Sequence, residues 1–171
     1  MPRNIIIGNS GSGKTFLAEQ LATRLPANVI HPDALYWEPG GYSKKRKKEI
    51  IATEVKALKT SENWIVEGVF GELASQFAEK AQHLIWLDMD WDYCKANLLT
   101  RGSELGKQLE PKKGVQHFRE LLEWASQYWA RQDLRSHSGH QSIFEDFDQW
   151  KVRLVNKNEV DNFIKSSEQF F

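Results

Sequence analysis

The 171-residue sequence predicts an α/β fold in three layers, a five-stranded parallel sheet with helices on both faces. Short β-branched or apolar runs alternate with stretches of helical periodicity, which specifies parallel strands joined by crossover helices. The first run, Arg3 to Ile7, is bounded by glycine, as expected of a strand buried on both faces. A glycine-rich turn then leads straight into a helix.

Each element has its own signal. Lys14 to Leu25 places Leu17, Leu21 and Leu25, with Ala18 and Ala22, at helical spacing before Pro26 stops it. Asn28 to Ile30 reads as a second strand, followed by a loop from His31 to Tyr42 rich in proline and glycine. Ser43 is placed to cap a helix running to about Lys59, with Ile50, Ile51, Val55 and Leu58 on one side. Trp64 to Val66 is a third strand, halted by Glu67-Gly68, and a short helix is expected from Glu72 to Lys80. His83 to Asp88 is the fourth strand, and Trp91 to Arg101 is helical again. Gly102 to Gly114 is polar and carries Pro111, so it reads as a mobile surface segment. Val115 to Leu134 reads as one long amphipathic helix with Phe118, Leu121, Leu122, Ala125 and Trp129 along its stripe. Val152 to Val155 is the fifth strand, and Asn156 with Glu159 three residues on forms a capping box for the last helix. Nothing divides the chain, so residues 1–171 form one expected domain, with a lid-like segment at about 102–140.

Composition narrows the function classes. Lys and Arg number 23, matching 23 Asp and Glu, so the overall field favours neither nucleic acid nor an anionic membrane. Cys94 is the single cysteine, which excludes an internal disulfide and suits a reducing compartment. It reads as a buried small side chain rather than a nucleophile. The first apolar run is too short for a secretory signal, and none approaches the roughly 20 residues of a membrane span. A soluble, cytoplasmic protein with no membrane partner is the expectation.

The turn after the first strand carries the chemistry. Gly8-Asn9-Ser10-Gly11-Ser12-Gly13-Lys14-Thr15 fits G-x-x-x-x-G-K-[ST] at every fixed position, with Phe16 directly behind it. Glycines let successive N–H groups point at one anion, and the helix that starts there adds its positive end. Lys14 brings a full charge to β- and γ-phosphates, and the Thr15 hydroxyl is a hard ligand for Mg²⁺. The dinucleotide fingerprint fits less well, because the glycines at 8, 11 and 13 are followed by Lys-Thr. The expected fold is the P-loop NTPase type, strand order 2-3-1-4-5, and the expected ligand is ATP or GTP with Mg²⁺. No base-reading motif separates the two nucleotides.

Other candidates lie at the same edge of the sheet. In the loop after strand two, Asp33 could hold a magnesium-bound water or accept a proton from a hydroxyl, or simply cap a turn. Tyr36 and Trp37 there could wall a substrate. Glu67 and Asp88 each close an apolar strand next to the P-loop strand, so both have the shape of a Walker B acid and periodicity leaves the choice open.

With the P-loop, His31-Pro32-Asp33-Ala34-Leu35-Tyr36-Trp37-Glu38-Pro39-Gly40 and Trp64-Ile65-Val66-Glu67-Gly68, the chain resembles the adenylate-kinase-like P-loop proteins of the FlaR-related (DNA topology modulation protein) family. The resemblance covers residues 1–101 and returns at 152–164. It implies that Asp33 holds the acceptor or the metal's water and that Glu67, rather than Asp88, reaches Mg²⁺ through water. It also implies that Arg101 stacks on the base at the start of a lid beginning at Gly102. Arg131 and Arg135 would be lid arginines that neutralise the transferring phosphoryl group. The Gly-Phe-Pro-Arg of adenylate kinases is replaced by Gly68-Val69-Phe70-Gly71, which argues against AMP as acceptor.

Three further features invite competing readings. Lys44-Lys45-Arg46-Lys47-Lys48 could be a solvated helix face, a grip for an anionic acceptor or a nucleic-acid patch. His137 and His140 have a metal-like spacing without neighbouring ligands and read as non-ligands. Trp124, Tyr128 and Trp129 fit packing better than base stacking. The leading expectation is an ATP-dependent kinase acting on a small-molecule acceptor. The alternative is a nucleotide-dependent switch contacting DNA or protein, which only the basic run supports.

Overall fold

The five strands form at Arg3–Gly8 (β1), Asn28–Ile30 (β2), Trp64–Glu67 (β3), His83–Leu87 (β4) and Trp150–Leu154 (β5). They are seen in a computed structural model of the chain, which describes residues 3–36, 38, 44–69, 76–105 and 111–169. All pair in parallel, in the order β2-β3-β1-β4-β5. The helices are Lys14–Arg24 (α1), Pro32–Tyr36 (α2), Lys48–Thr60 (α3), Trp91–Leu105 (α4), Pro111–Ser126 (α5), His137–Asp146 (α6) and Lys157–Ser166 (α7). Residues 76–78 are also helical.

Strand periodicity divides the core in two. Ile5, Ile7, Trp64, Val66, Leu84 and Trp86 face one layer with Ile51, Val55, Phe77 and Phe147. Ile6, Ile65, Ile85 and Leu87 face the other, against Leu17 and Leu21 of α1 and Val160 and Phe163 of α7. Burying each such side chain contributes about 1.5–3 kcal/mol. Asn156 caps α7, its side chain accepting from Glu159 N at 2.9 Å, while Glu159 accepts from Val155 N at 2.9 Å. Among the described residues, no helix is long and apolar enough to cross a membrane.

The structure corrects several boundaries. The expected loop from His31 contains α2, with Pro32 at a first helical position where its missing N–H costs nothing. Helix α3 starts at Lys48, so Lys44 to Lys47 precede the helix instead of forming its face, and Ile50 is exposed. The capping role given to Ser43 lies outside the described residues. The expected mobile segment from Gly102 is helical on both flanks, α4 reaching Leu105 and α5 starting at Pro111. A Cβ on Gly102 would stand 2.6 Å from the Phe118 ring, so these helices meet closely there. The long helix to Leu134 breaks after Ser126. Tyr128 N turns back to Ala125 O (3.2 Å) and Tyr128 is fully buried, which a continued surface helix would not allow. The polar stretch at 137–140 begins α6, with the Ser136 hydroxyl accepting from Gly139 N as its cap.

Candidate functional site

β1 ends at Gly8 and α1 begins at Lys14, so the turn between them is held at the C-terminal edge of the sheet. Gly11 (φ +80°) and Gly13 (φ +95°) take left-handed angles that favour glycine. At Gly11 a Cβ would also stand 2.3 Å from the Cys94 carbonyl oxygen. Asn97 of α4 donates to Gly11 O at 2.8 Å, so that helix braces the loop. No side chain caps α1, which leaves its first amides to an external anion. Ser12 Oγ is buried with no hydrogen-bond partner among the described residues. Lys14 is buried, and its Nζ donates to Asn9 O at 2.7 Å. The Asn9 side chain accepts from Ser10 N (2.8 Å) and donates to Ala125 O (2.9 Å), tying the loop to the end of α5.

Of the two rival carboxylates, Glu67 meets the P-loop. Pairing of Ile6 with Glu67 brings it beside α1, where Thr15 Oγ1 donates to Glu67 Oε1 at 3.0 Å. His31 Nδ1 lies 2.7 Å from the same oxygen. Sequence reasoning missed His31, although it opens the motif that contains Asp33. Asp88 is engaged elsewhere: Arg153 donates to it from Nε at 2.9 Å and from a terminal guanidinium nitrogen, and His137 Nε2 lies 3.2 Å away. Asp33 sits in α2 between His31 and Tyr36. Its side chain, like Trp37, lies outside the described residues.

A cavity of about 700 Å³ opens from the P-loop between α4 and α7, lined by Gly11 to Phe16 and by Tyr93, Asn97, Arg101 and Lys157. Phe16 and Arg101 are among the residues that line it. Tyr93, Asn97 and Lys157 were not anticipated, because only helix packing brings them there. Arg131 and Arg135 are not among the residues lining this cavity. They line a second one of about 930 Å³, with Tyr36, Trp124 and Ser138. The Arg131 guanidinium lies 4.0 Å from the Trp124 ring centroid, pairs with Asp133 at 2.7 Å and donates to Arg135 O at 3.3 Å.

A buried polar chain backs the second cavity. Trp86 Nε1 donates to the Tyr128 hydroxyl (3.3 Å), which in turn meets His140 Nδ1 (2.6 Å). His140 Nε2 is buried without a hydrogen-bond partner among the described residues. Burial, with the positive charge of Lys14 second, pushes the His140 pKa down to about 3. Burial likewise pushes the Cys94 thiol up to about 12, which keeps it protonated and unreactive. Both histidines of this segment thus serve as packing and hydrogen-bonding groups.

Residues 4–91, just over half of the chain, match a protein family described as an AAA domain. No curated protein matches the sequence. The fold is shared with the YorR protein of Bacillus subtilis, solved in complex with phosphorylated GDP (15% identity, TM-score 0.55, covering 98% of this chain and 94% of that one). It is also shared with the shikimate kinase of Acinetobacter baumannii in complex with shikimate (13% identity, TM-score 0.53, 99% and 93% covered). The shikimate kinase of Bacteroides thetaiotaomicron is similar (13% identity, TM-score 0.50, 99% and 97% covered). At such identities these likenesses establish the P-loop kinase fold and nothing finer.

Proposed function

The chain belongs to the AAA domain family, and from that premise we propose that it is an ATP-dependent phosphotransferase acting on a small-molecule acceptor. The observation that carries this reading is the hydrogen bond from Thr15 to Glu67 at the mouth of the P-loop. It commits the hydroxyl's hydrogen to the carboxylate and leaves the Thr15 oxygen lone pairs for a hard cation. His31, on the same carboxylate oxygen, fixes the Glu67 rotamer. Thr15 would hold Mg²⁺ directly, and Asp33 and Glu67 through water. When bound, the ion supplies positive charge against the phosphates. Ser12, whose buried hydroxyl has no hydrogen-bond partner among the described residues, and the start of α1, which has no side-chain cap among them, fit a phosphate of the nucleotide.

The chain's own residues then divide the work. Lys14 exchanges the Asn9 carbonyl for phosphate oxygens, and the backbone from Gly8 to Gly13 cradles them. Phe16 and Arg101 hold the base in the first cavity, which suits ATP or GTP. Asp33, carried by the short helix that joins His31 to Tyr36, orients the acceptor hydroxyl and takes its proton. Closure of the lid-like segment at about 102–140, to which α5 belongs, would exclude water from the phosphates. The resemblance to the FlaR-related proteins, on the HPDALYWEPG and WIVEG stretches, supports the same reading and a cytoplasmic setting. Arg46 of the basic run is held by Glu54 (2.7 and 2.5 Å), which weakens the case for a nucleic-acid patch.

The test is ADP release from ATP and Mg²⁺ across nucleosides, nucleoside monophosphates and hydroxylated metabolites, with Lys14→Ala as control. Stimulation by one acceptor, lost in the control, is expected. Tight ATP binding with no stimulation by any acceptor would favour a nucleotide switch instead.

A further inference from the structure

Resting on the nucleotide-binding part of the reading above, we propose that Asn9 is a positioning residue that couples nucleotide at the P-loop to the turn from Gln127 to Ser136, and so to the second cavity. The phosphate motif leaves its second position open to any residue, yet here Asn9 is only 1% exposed. Its backbone oxygen accepts from Lys14 Nζ at 2.7 Å and from Ser12 N at 3.2 Å, and its side-chain oxygen accepts from Ser10 N at 2.8 Å. Three groups of the loop thus converge on one residue. Its remaining bond leaves the loop altogether, Nδ2 donating to Ala125 O at 2.9 Å.

The receiving carbonyl is a junction. Ala125 is fully buried, and its oxygen also accepts from Tyr128 N at 3.2 Å, the bond that opens the turn. The neighbouring Trp124 ring lies 4.0 Å from the Arg131 guanidinium. Beyond it the turn is tied to itself. Ala130 N and Arg131 N donate to Gln127 O at 2.9 Å, while Arg131 (2.7 Å) and Arg135 N (2.8 Å) both donate to the Asp133 carboxylate. The turn therefore moves as one piece, and Trp124, Arg131, Asp133 and Arg135 carry that movement to the second cavity. The loop has two arrangements to transmit. Without nucleotide, Lys14 holds the Asn9 carbonyl; with nucleotide, Lys14 turns to phosphate and the loop amides close on the anion. A buried amide is costly to leave unpaired, so the Ala125 carbonyl is carried with Asn9 and the ordering of the loop passes into the turn.

Hydrogen–deuterium exchange of the full chain, with Mg²⁺ and a saturating non-hydrolysable analogue of ATP or of GTP, tests this. Ligand binding slows exchange wherever it stabilises the whole fold, so the quantity to read is the slowing at 127–136 in excess of that in α3. An excess of about fivefold is expected, the lower end of ordinary coupling between sites. Asn9→Asp keeps an acceptor for Ser10 N and removes the donor to Ala125 O. It should abolish the excess while calorimetry confirms that the nucleotide is at saturation. Asn9→Ala gives the same result should Asn9→Asp melt early. Equal slowing of the two segments in the native chain, or an excess that survives both substitutions, would overturn the proposal. Binding of neither analogue would remove it together with the nucleotide reading. An excess in a chain that releases no ADP with any acceptor would keep the coupling and remove phosphotransfer; ADP release without the excess would do the reverse.

Discussion

The P-loop and the second cavity are built from different materials. The loop is eight consecutive residues whose backbone bends at Gly11 and Gly13, and its partners Glu67 and His31 arrive by strand register. The cavity is assembled from α2, α5, α6 and the turn between the last two, and most of its lining is side chain: Tyr36, Trp124, Arg131, Arg135 and Ser138. Phosphate is the same in every nucleotide, so backbone amides suffice to bind it. The cavity's lining sits on helices and turns, where side chains can be exchanged without disturbing the sheet.

This contrast can be broken or sharpened by substitution. The largest effect is expected from Lys14→Ala, about 10³-fold in turnover, the cost of removing one preorganised charged donor. Asp33→Asn should lower turnover by about 10²-fold while sparing ATP affinity, seen by comparing ADP release with calorimetry of the ATP analogue. Full activity in Asp33→Asn would cancel the proton-accepting role. Next comes a pH effect confined to the cavity's backing. His140 is depressed to about 3 by burial, so the unfolded chain binds its proton first. The stability this group supports is whole above its ordinary value and falls as pH drops through 6.5 toward 3. The loss at pH 5 should be about 2 kcal/mol in urea melts, and His140→Gln should flatten that slope. Tyr128→Phe, which strands Trp86 Nε1 and His140 Nδ1, should cost about 1–2 kcal/mol at neutral pH. If Tyr128→Phe harmed ATP binding more than stability, the two regions would be joined through more than Asn9.

Much of the loop was legible because it is contiguous. Strand period, glycine spacing and the Lys-Thr pair all lie within fifteen residues, and the strand order followed from the P-loop type. The choice of Glu67 over Asp88 was not legible from periodicity, since both close apolar strands; it depends on which of them meets Thr15 and which meets Arg153. The end of α5 was misjudged because Trp129 continues the apolar spacing of the helix, while the chain turns to bury Tyr128. Helix α6 was hidden by the small polar residues Ser136, Ser138 and Gly139, which mark loops as often as helix starts. The second cavity follows from these two turns and so could not be read before them.

The hydrogen bond from Asn9 to Ala125 joins residues 116 positions apart. Contacts of such separation form late, after the intervening chain has been gathered in. A chain that stopped before Ala125 would carry the whole phosphate motif and the entire family match, yet nothing to receive the Asn9 amide. The phosphate motif, near the start of these 171 residues, is therefore braced only once residues far along the chain have reached it. Competence to grip a nucleotide then becomes a signal that the far half of the molecule has already folded.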